Sequence, residues 1–112
     1  MFKCILKVDK NINVRRILND EIRNLYSEEN VFFKAYNVDD KEICILVAED
    51  YSFSTNSSLT INLISEAHSN QTIVNVIVSG GKIGLIGVAY GSEKRRAKRI
   101  TDILLKYGFH KQ

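Results

Sequence analysis

Val31-Phe32-Phe33-Lys34-Ala35-Tyr36-Asn37, a turn at Asp39-Asp40, then Ile43-Cys44-Ile45-Leu46-Val47-Ala48: this stretch decides the fold. Two strand-type runs with only a short acidic turn between them must be antiparallel, since a parallel crossover needs about a dozen residues or more. The strand series continues. Lys41–Phe53 is followed by polar residues 54–58, and Leu59, Ile61 and Leu63 alternate with Thr60 and Asn62. Ser69-Asn70 marks the next turn, and Thr72–Ser79 is rich in β-branched residues. Loops this short keep the strands antiparallel throughout.

On the N-terminal side, residues 2–8 alternate: Phe2, Cys4, Leu6 and Val8 on one face, Lys3, Ile5 and Lys7 on the other. Period two with one apolar side is a half-buried strand. Residues 12–28 change to helical period, with Val14, Ile17, Leu18, Ile22 and Leu25 on one face. Asn11 or Asn13 supplies the N-cap oxygen, and Asn30 ends the helix in the left-handed conformation.

On the C-terminal side, five of the six glycines (Gly80, Gly81, Gly84, Gly87 and Gly91) crowd into twelve residues. Gly80-Gly81 reads as a turn, and residues 82–90 read as a last strand whose glycines permit a bulge. The final helix is predicted from Ser92, as N-cap, to Tyr107, with Glu93 in its first turn and Ala97, Ile100, Ile103, Leu104 and Tyr107 inward. Gly108 fits the C′ position, with Phe109 turning back onto Leu104. The predicted order is β-α-β-β-β-β-β-α. It describes one α+β domain over residues 1–112, a two-layer sandwich with an antiparallel sheet and two helices on one face. The other face, with Ile5, Ile64 and parts of strands 43–48 and 73–78, is too apolar for a solvated surface and reads as an interface or a binding surface.

Composition sets bounds on partners. The chain has 112 residues, 45% hydrophobic and 26% charged, which suits one soluble domain with its own core. Cys4 and Cys44 lie in apolar runs and are read as reduced core thiols. The first ten residues lack the continuous apolar segment of a signal peptide, and no run is long enough to cross a membrane. The expected location is the cytoplasm, with no membrane partner. Net charge is +3, of which residues 92–112 hold +5 and residues 1–91 hold −2. The basic character therefore belongs to one helix.

Val76-Ile77-Val78-Ser79-Gly80-Gly81, a further apolar strand, then Gly91-Ser92-Glu93 and an amphipathic helix resemble a small bacterial family of about this length. The likeness reaches back to the strand–turn–strand series from about residue 31. Its members are uncharacterised single-domain α+β proteins. The resemblance implies the same fold and brings no activity or site residues.

One place hints at chemistry. Gly91 and Ser92 at a helix start, followed by Lys94, Arg95, Lys98 and Arg99 on one exposed surface, form a candidate anion site. The structural alternative is strong. Neither G-x-G-x-x-G nor the P-loop pattern is present, so the glycines fit turn and strand packing, and the cations fit a solvated helix face. No aromatic residue interleaves with the cations for base stacking.

The remaining chemistry-bearing residues form no constellation. His68 and His110 lack the short spacing of metal ligands. The loop hydroxyls Ser52, Ser54, Thr55, Ser57 and Ser58 have no histidine near them in sequence. Glu49 and Asp50 are adjacent on a strand and face opposite ways. The aromatic group Phe32, Phe33, Tyr36, Tyr51 and Phe53 reads as packing. The sequence thus predicts no catalytic residue, metal or cofactor. It predicts a binding or protein-interaction module that forms a homo-oligomer or takes a protein partner. Nucleic acid or another polyanion on the basic helix is one alternative. A small hydrophobic ligand between sheet and helices is another.

Overall fold

The computed structural model describes residues 1–52, 57–80 and 88–112. Its strands are β1 (Phe2–Val8), β2 (Val31–Val38), β3 (Lys41–Ser52), β4 (Ser57–Ala67), β5 (Thr72–Gly80) and β6 (His110–Lys111). They form one open antiparallel sheet in the order β2-β3-β4-β5-β1-β6. With the helices this is an α+β architecture, as the strand spacing predicts. β2 to β5 form a meander because each connection is short. The tightest is Asp39–Asp40, where Asp39 takes φ 57°, a conformation open to aspartate in two-residue hairpin turns.

Register places one set of side chains inward. Leu6 opposes Val74, Val76 opposes Leu63, and Leu63 opposes Leu46. All five residues are fully buried. Val14, Ile17, Leu18 and Ile22 from the first helical segment join the same core, as do Ala97, Ile100 and Leu104 from the last helix. Thr72 is a polar position on the core side with its bonds made. Thr72 donates its hydroxyl to the Lys10 carbonyl at 3.0 Å and accepts the Ile12 N–H at 3.1 Å, pinning the chain after β1 onto β5.

The first helical segment is less regular than the periodicity predicts. It is an α-turn, α1 (Val14–Arg16), then a π-helical stretch at Ile17–Ile22 and a 3₁₀ turn at Arg23–Leu25. The Arg23 N–H reaches back five residues to the Leu18 carbonyl, the π pattern. Asn13 is the cap that forms, accepting the Arg16 N–H at 3.2 Å, while Asn11 donates to the His68 carbonyl instead. The segment ends at Leu25, because Tyr26 is extended. Asn30 closes a separate 3₁₀ turn, Glu28–Asn30, rather than a left-handed cap.

The predicted strand over 82–90 is corrected at its end. Residues 81–87 lie outside the described residues, and Val88, Ala89 and Tyr90 already belong to the last helix, α2 (Val88–Lys106). The sixth strand is β6, which follows α2 and pairs with β1. The C-terminal cap forms as predicted. Gly108 takes φ 93°, its N–H donates to the Leu105 carbonyl, and the Phe109 N–H donates to the Leu104 carbonyl. This Schellman arrangement buries Phe109 and aims the chain at the β1 edge.

Candidate functional site

The residues between the buried positions form the second face of the sheet. Direct register gives three rows across five strands: Phe32–Val47–Asn62–Ile77–Lys3, Lys34–Ile45–Ile64–Asn75–Ile5, and Tyr36–Ile43–Glu66–Ile73–Lys7. Each row carries three apolar or aromatic residues. Ile5 is 45% exposed, Ile64 38% and Phe32 56%. An apolar area of this extent is unusual for a solvated face. Lysines stand at both flanks, Lys34 on β2 and Lys3 and Lys7 on β1. A shallow pocket of about 430 Å³ lies on the β1–β5 side, lined by Lys3, Cys4, Ile5, Asn75, Ile77 and Gln112.

The two lateral edges of the sheet differ. β6 is two residues long and guards part of β1. β2 is eight residues long and ends the strand order on the other side. Val31, Phe33 and Ala35 lean onto the core, while Phe32, Lys34, Tyr36 and Val38 are exposed. The Lys34 ammonium sits over the Tyr36 ring, 5.9 Å from its centre. The predicted aromatic cluster is therefore divided. Phe33 packs inward, Phe32, Tyr36 and Tyr51 are exposed, and Phe53 lies outside the described residues.

The candidate anion site is reorganised by the earlier start of α2. Gly91 and Ser92 lie within the helix, so Ser92 is not its N-cap. Glu93, expected to complement the helix start, is buried, with its carboxylate 3.4 Å from the Met1 amino group. Lys94, Arg95, Lys98 and Arg99 are all exposed, as their spacing predicts. Lys98 pairs with Asp102 at 2.8 Å. They stand in mid-helix, beyond the first turn where the helix dipole disfavours cations. Arg96 is set apart, donating to both oxygens of Asp50 at 2.9 and 3.0 Å.

The titratable groups near this helix point to structure rather than reactivity. Burial pushes the Tyr26 hydroxyl up to about 12; Asp50 pushes the same way, opposed by Arg99 and Arg96. Burial also raises the thiols of Cys4 and Cys44, and both are free. A raised thiol holds little thiolate at neutral pH and is a poor nucleophile. His68 faces Glu66 at 3.7 Å, and His110 lies in β6. Glu49 is exposed on the second face, whereas Asp50 turns to Arg96, so the two carboxylates diverge as predicted. The apolar rows and the β2 edge carried only a partial signal in the sequence, because alternation shows which residues share a face but not which strands are neighbours.

The chain matches no family model, no curated protein and no solved structure.

Proposed function

We propose that this chain is a non-catalytic protein-interaction module that associates with a second copy of itself through its sheet. The observation that carries this reading is the set of apolar rows on the second face, with Ile5, Ile64, Phe32 and Tyr36 exposed. In this reading the protein is a two-layer α+β sandwich, akin to the small bacterial family its sequence resembles. The helices back one face, and a second copy associates through the exposed face or edge of the sheet. Two unbridged cysteines with raised thiols support work in a reducing compartment, the cytoplasm. The test is light scattering at about 100 μM protomer, where mass action favours association. A mass twice that of one chain is expected, and a strict monomer overturns the reading.

A second reading rests on Lys94, Arg95, Lys98 and Arg99, exposed together on α2. In it the helix binds a polyanion such as nucleic acid. The logarithm of the binding constant for duplex DNA should then fall with log salt by about 0.9 per phosphate contacted. Changing the four residues to Glu should abolish the dependence, and salt-independent binding would sink the reading. The third reading, a hydrophobic ligand between sheet and helices, gains no support, because Leu6, Leu63, Val76, Ile17, Ile100 and Leu104 fill that space with no exposed surface beyond 1%.

A further inference from the structure

We propose that the self-association seam is the outer edge of β2, paired antiparallel with β2 of a second copy about a two-fold axis at Ala35. The proposal rests on the self-association reading above and names its interface. The two-residue Asp39–Asp40 turn makes Val38 and Lys41 a hydrogen-bonded pair. Antiparallel ladders alternate, so Tyr36, Lys34 and Phe32 also bond toward β3. Val31, Phe33, Ala35 and Asn37 therefore turn their N–H and C=O groups outward from the end of the sheet. What satisfies such a row is another extended strand.

Proteins guard free edges with short strands, bulges, prolines or repeated lysines. β2 has eight residues, one lysine and no proline. Three of its second-face side chains are exposed and apolar or aromatic: Phe32 at 56%, Tyr36 at 40% and Val38 at 42%.

The backbone also limits the register. A two-fold axis must pass a residue, so that outward groups meet outward groups, which leaves Phe33, Lys34, Ala35, Tyr36 or Asn37 near the strand centre. An axis at Lys34 sets the two lysines directly opposite, and an axis at Tyr36 leaves Phe32 opposite a residue outside β2. An axis at Phe33 leaves Tyr36 and Val38 opposite residues outside β2. An axis at Asn37 leaves Phe32 and Lys34 opposite residues outside β2. An axis at Ala35 places Phe32 opposite Val38 of the second copy and Lys34 opposite its Tyr36. Like charges are kept apart, and the cation–ring contact already made within the strand is repeated across the seam. Small Ala35 side chains meet at the axis, and Phe33 and Asn37 exchange backbone bonds. The partner of β2 is thus a second β2. The symmetry is isologous, and the two second faces become one continuous surface.

The experiment has two parts. Ala35→Pro deletes an outward N–H without touching the β2–β3 ladder, and should raise the dimer dissociation constant at least about 100-fold. In the second part, Lys34→Cys and Tyr36→Cys chains, both carrying Cys4→Ser, are mixed and oxidised. The mixed disulfide should form far in excess of either homodisulfide, because residues 34 and 36 are directly opposed while 34–34 and 36–36 are diagonal. A persistent Ala35→Pro dimer, or homodisulfides in statistical proportion, overturns the edge seam and leaves self-association standing. A monomeric parent protein overturns both. If Ala35→Pro does not fold, the disulfide ratio decides alone, since residues 34 and 36 are exposed in the folded chain.

Discussion

Arg96 on α2 grips Asp50 on β3 through one nitrogen, Nη1, at 2.9 and 3.0 Å from the two carboxylate oxygens. Forty-six residues separate the two, so the contact ties the last helix to a strand it does not neighbour in sequence. The side chains are 25% and 12% exposed, which screens the pair far less than a surface ion pair. Breaking it strands a charge in a partly dry site. Asp50→Ala and Arg96→Ala should each cost about 2 kcal/mol in urea unfolding, against well under 1 kcal/mol for a surface pair. Lys98→Ala, which breaks the exposed pair with Asp102, provides the comparison and should cost about 0.3–0.5 kcal/mol. A double-mutant cycle on Asp50 and Arg96 should return a coupling of comparable size to the single losses.

Stability should fall between pH 10 and 12 because of Tyr26. The unfolded chain releases the phenolic proton near its ordinary value of 10, while the folded chain holds it to about 12. The folded state thus binds more protons in that window, and stability drops as pH rises through it. Below pH 10 the contribution is fully present. With allowance for screening at a partly exposed ring, the loss should reach about 1–2 kcal/mol. Tyr26→Phe should flatten that part of the pH profile, read as the difference between the two proteins in urea midpoints.

Leu63 and Ile64 are adjacent on β4 and should behave oppositely. Leu63 is fully buried and Ile64 is 38% exposed. Leu63→Ala should destabilise the monomer by about 2–5 kcal/mol, the transfer loss plus a cavity. Ile64→Thr keeps a β-branched residue on the strand and should change monomer stability by about 0.5 kcal/mol or less. A large destabilisation by Ile64→Thr, measured at concentrations where the chain is monomeric, would show that the second face is covered within one chain.

Gly108 is required by its backbone. At φ 93° an added Cβ would meet only a Val8 methyl carbon at 3.9 Å, so space is not the constraint. Gly108→Ala should therefore cost about 1–2 kcal/mol from conformation alone. The same change should loosen β6, which this cap aims at β1. Faster hydrogen exchange at the Gln112 N–H, which donates to the Ile5 carbonyl, is the readout.

Local signals carried much of the architecture. Alternation in Phe2–Val8 and in Leu59, Ile61 and Leu63 set which side chains face inward, because a strand's period of two admits only two faces. The short turns at Asp39–Asp40 and Ser69–Asn70 made the strands antiparallel. Gly108 before Phe109 marked the end of α2. These features depend on a few neighbouring residues and are readable from them.

Other features depend on contacts between distant residues. The start of α2 at Val88 was hidden because Val88-Ala89-Tyr90 is apolar enough to read as a strand, and Ser92 offers a competing cap. The irregular turns after α1 were hidden because their apolar spacing suits a regular helix equally well. The rows of the second face require β1 to lie beside β5, and the Asp50–Arg96 pair requires α2 to come against β3. By itself, then, the sequence determined the strands, their faces, the turn chemistry and the basic character of one helix. Tertiary structure alone decided which strands are neighbours, which strand ends the sheet among the described residues and which charge is neutralised. Those outcomes follow from burying one shared core, a free-energy term summed over the whole chain that no local window contains.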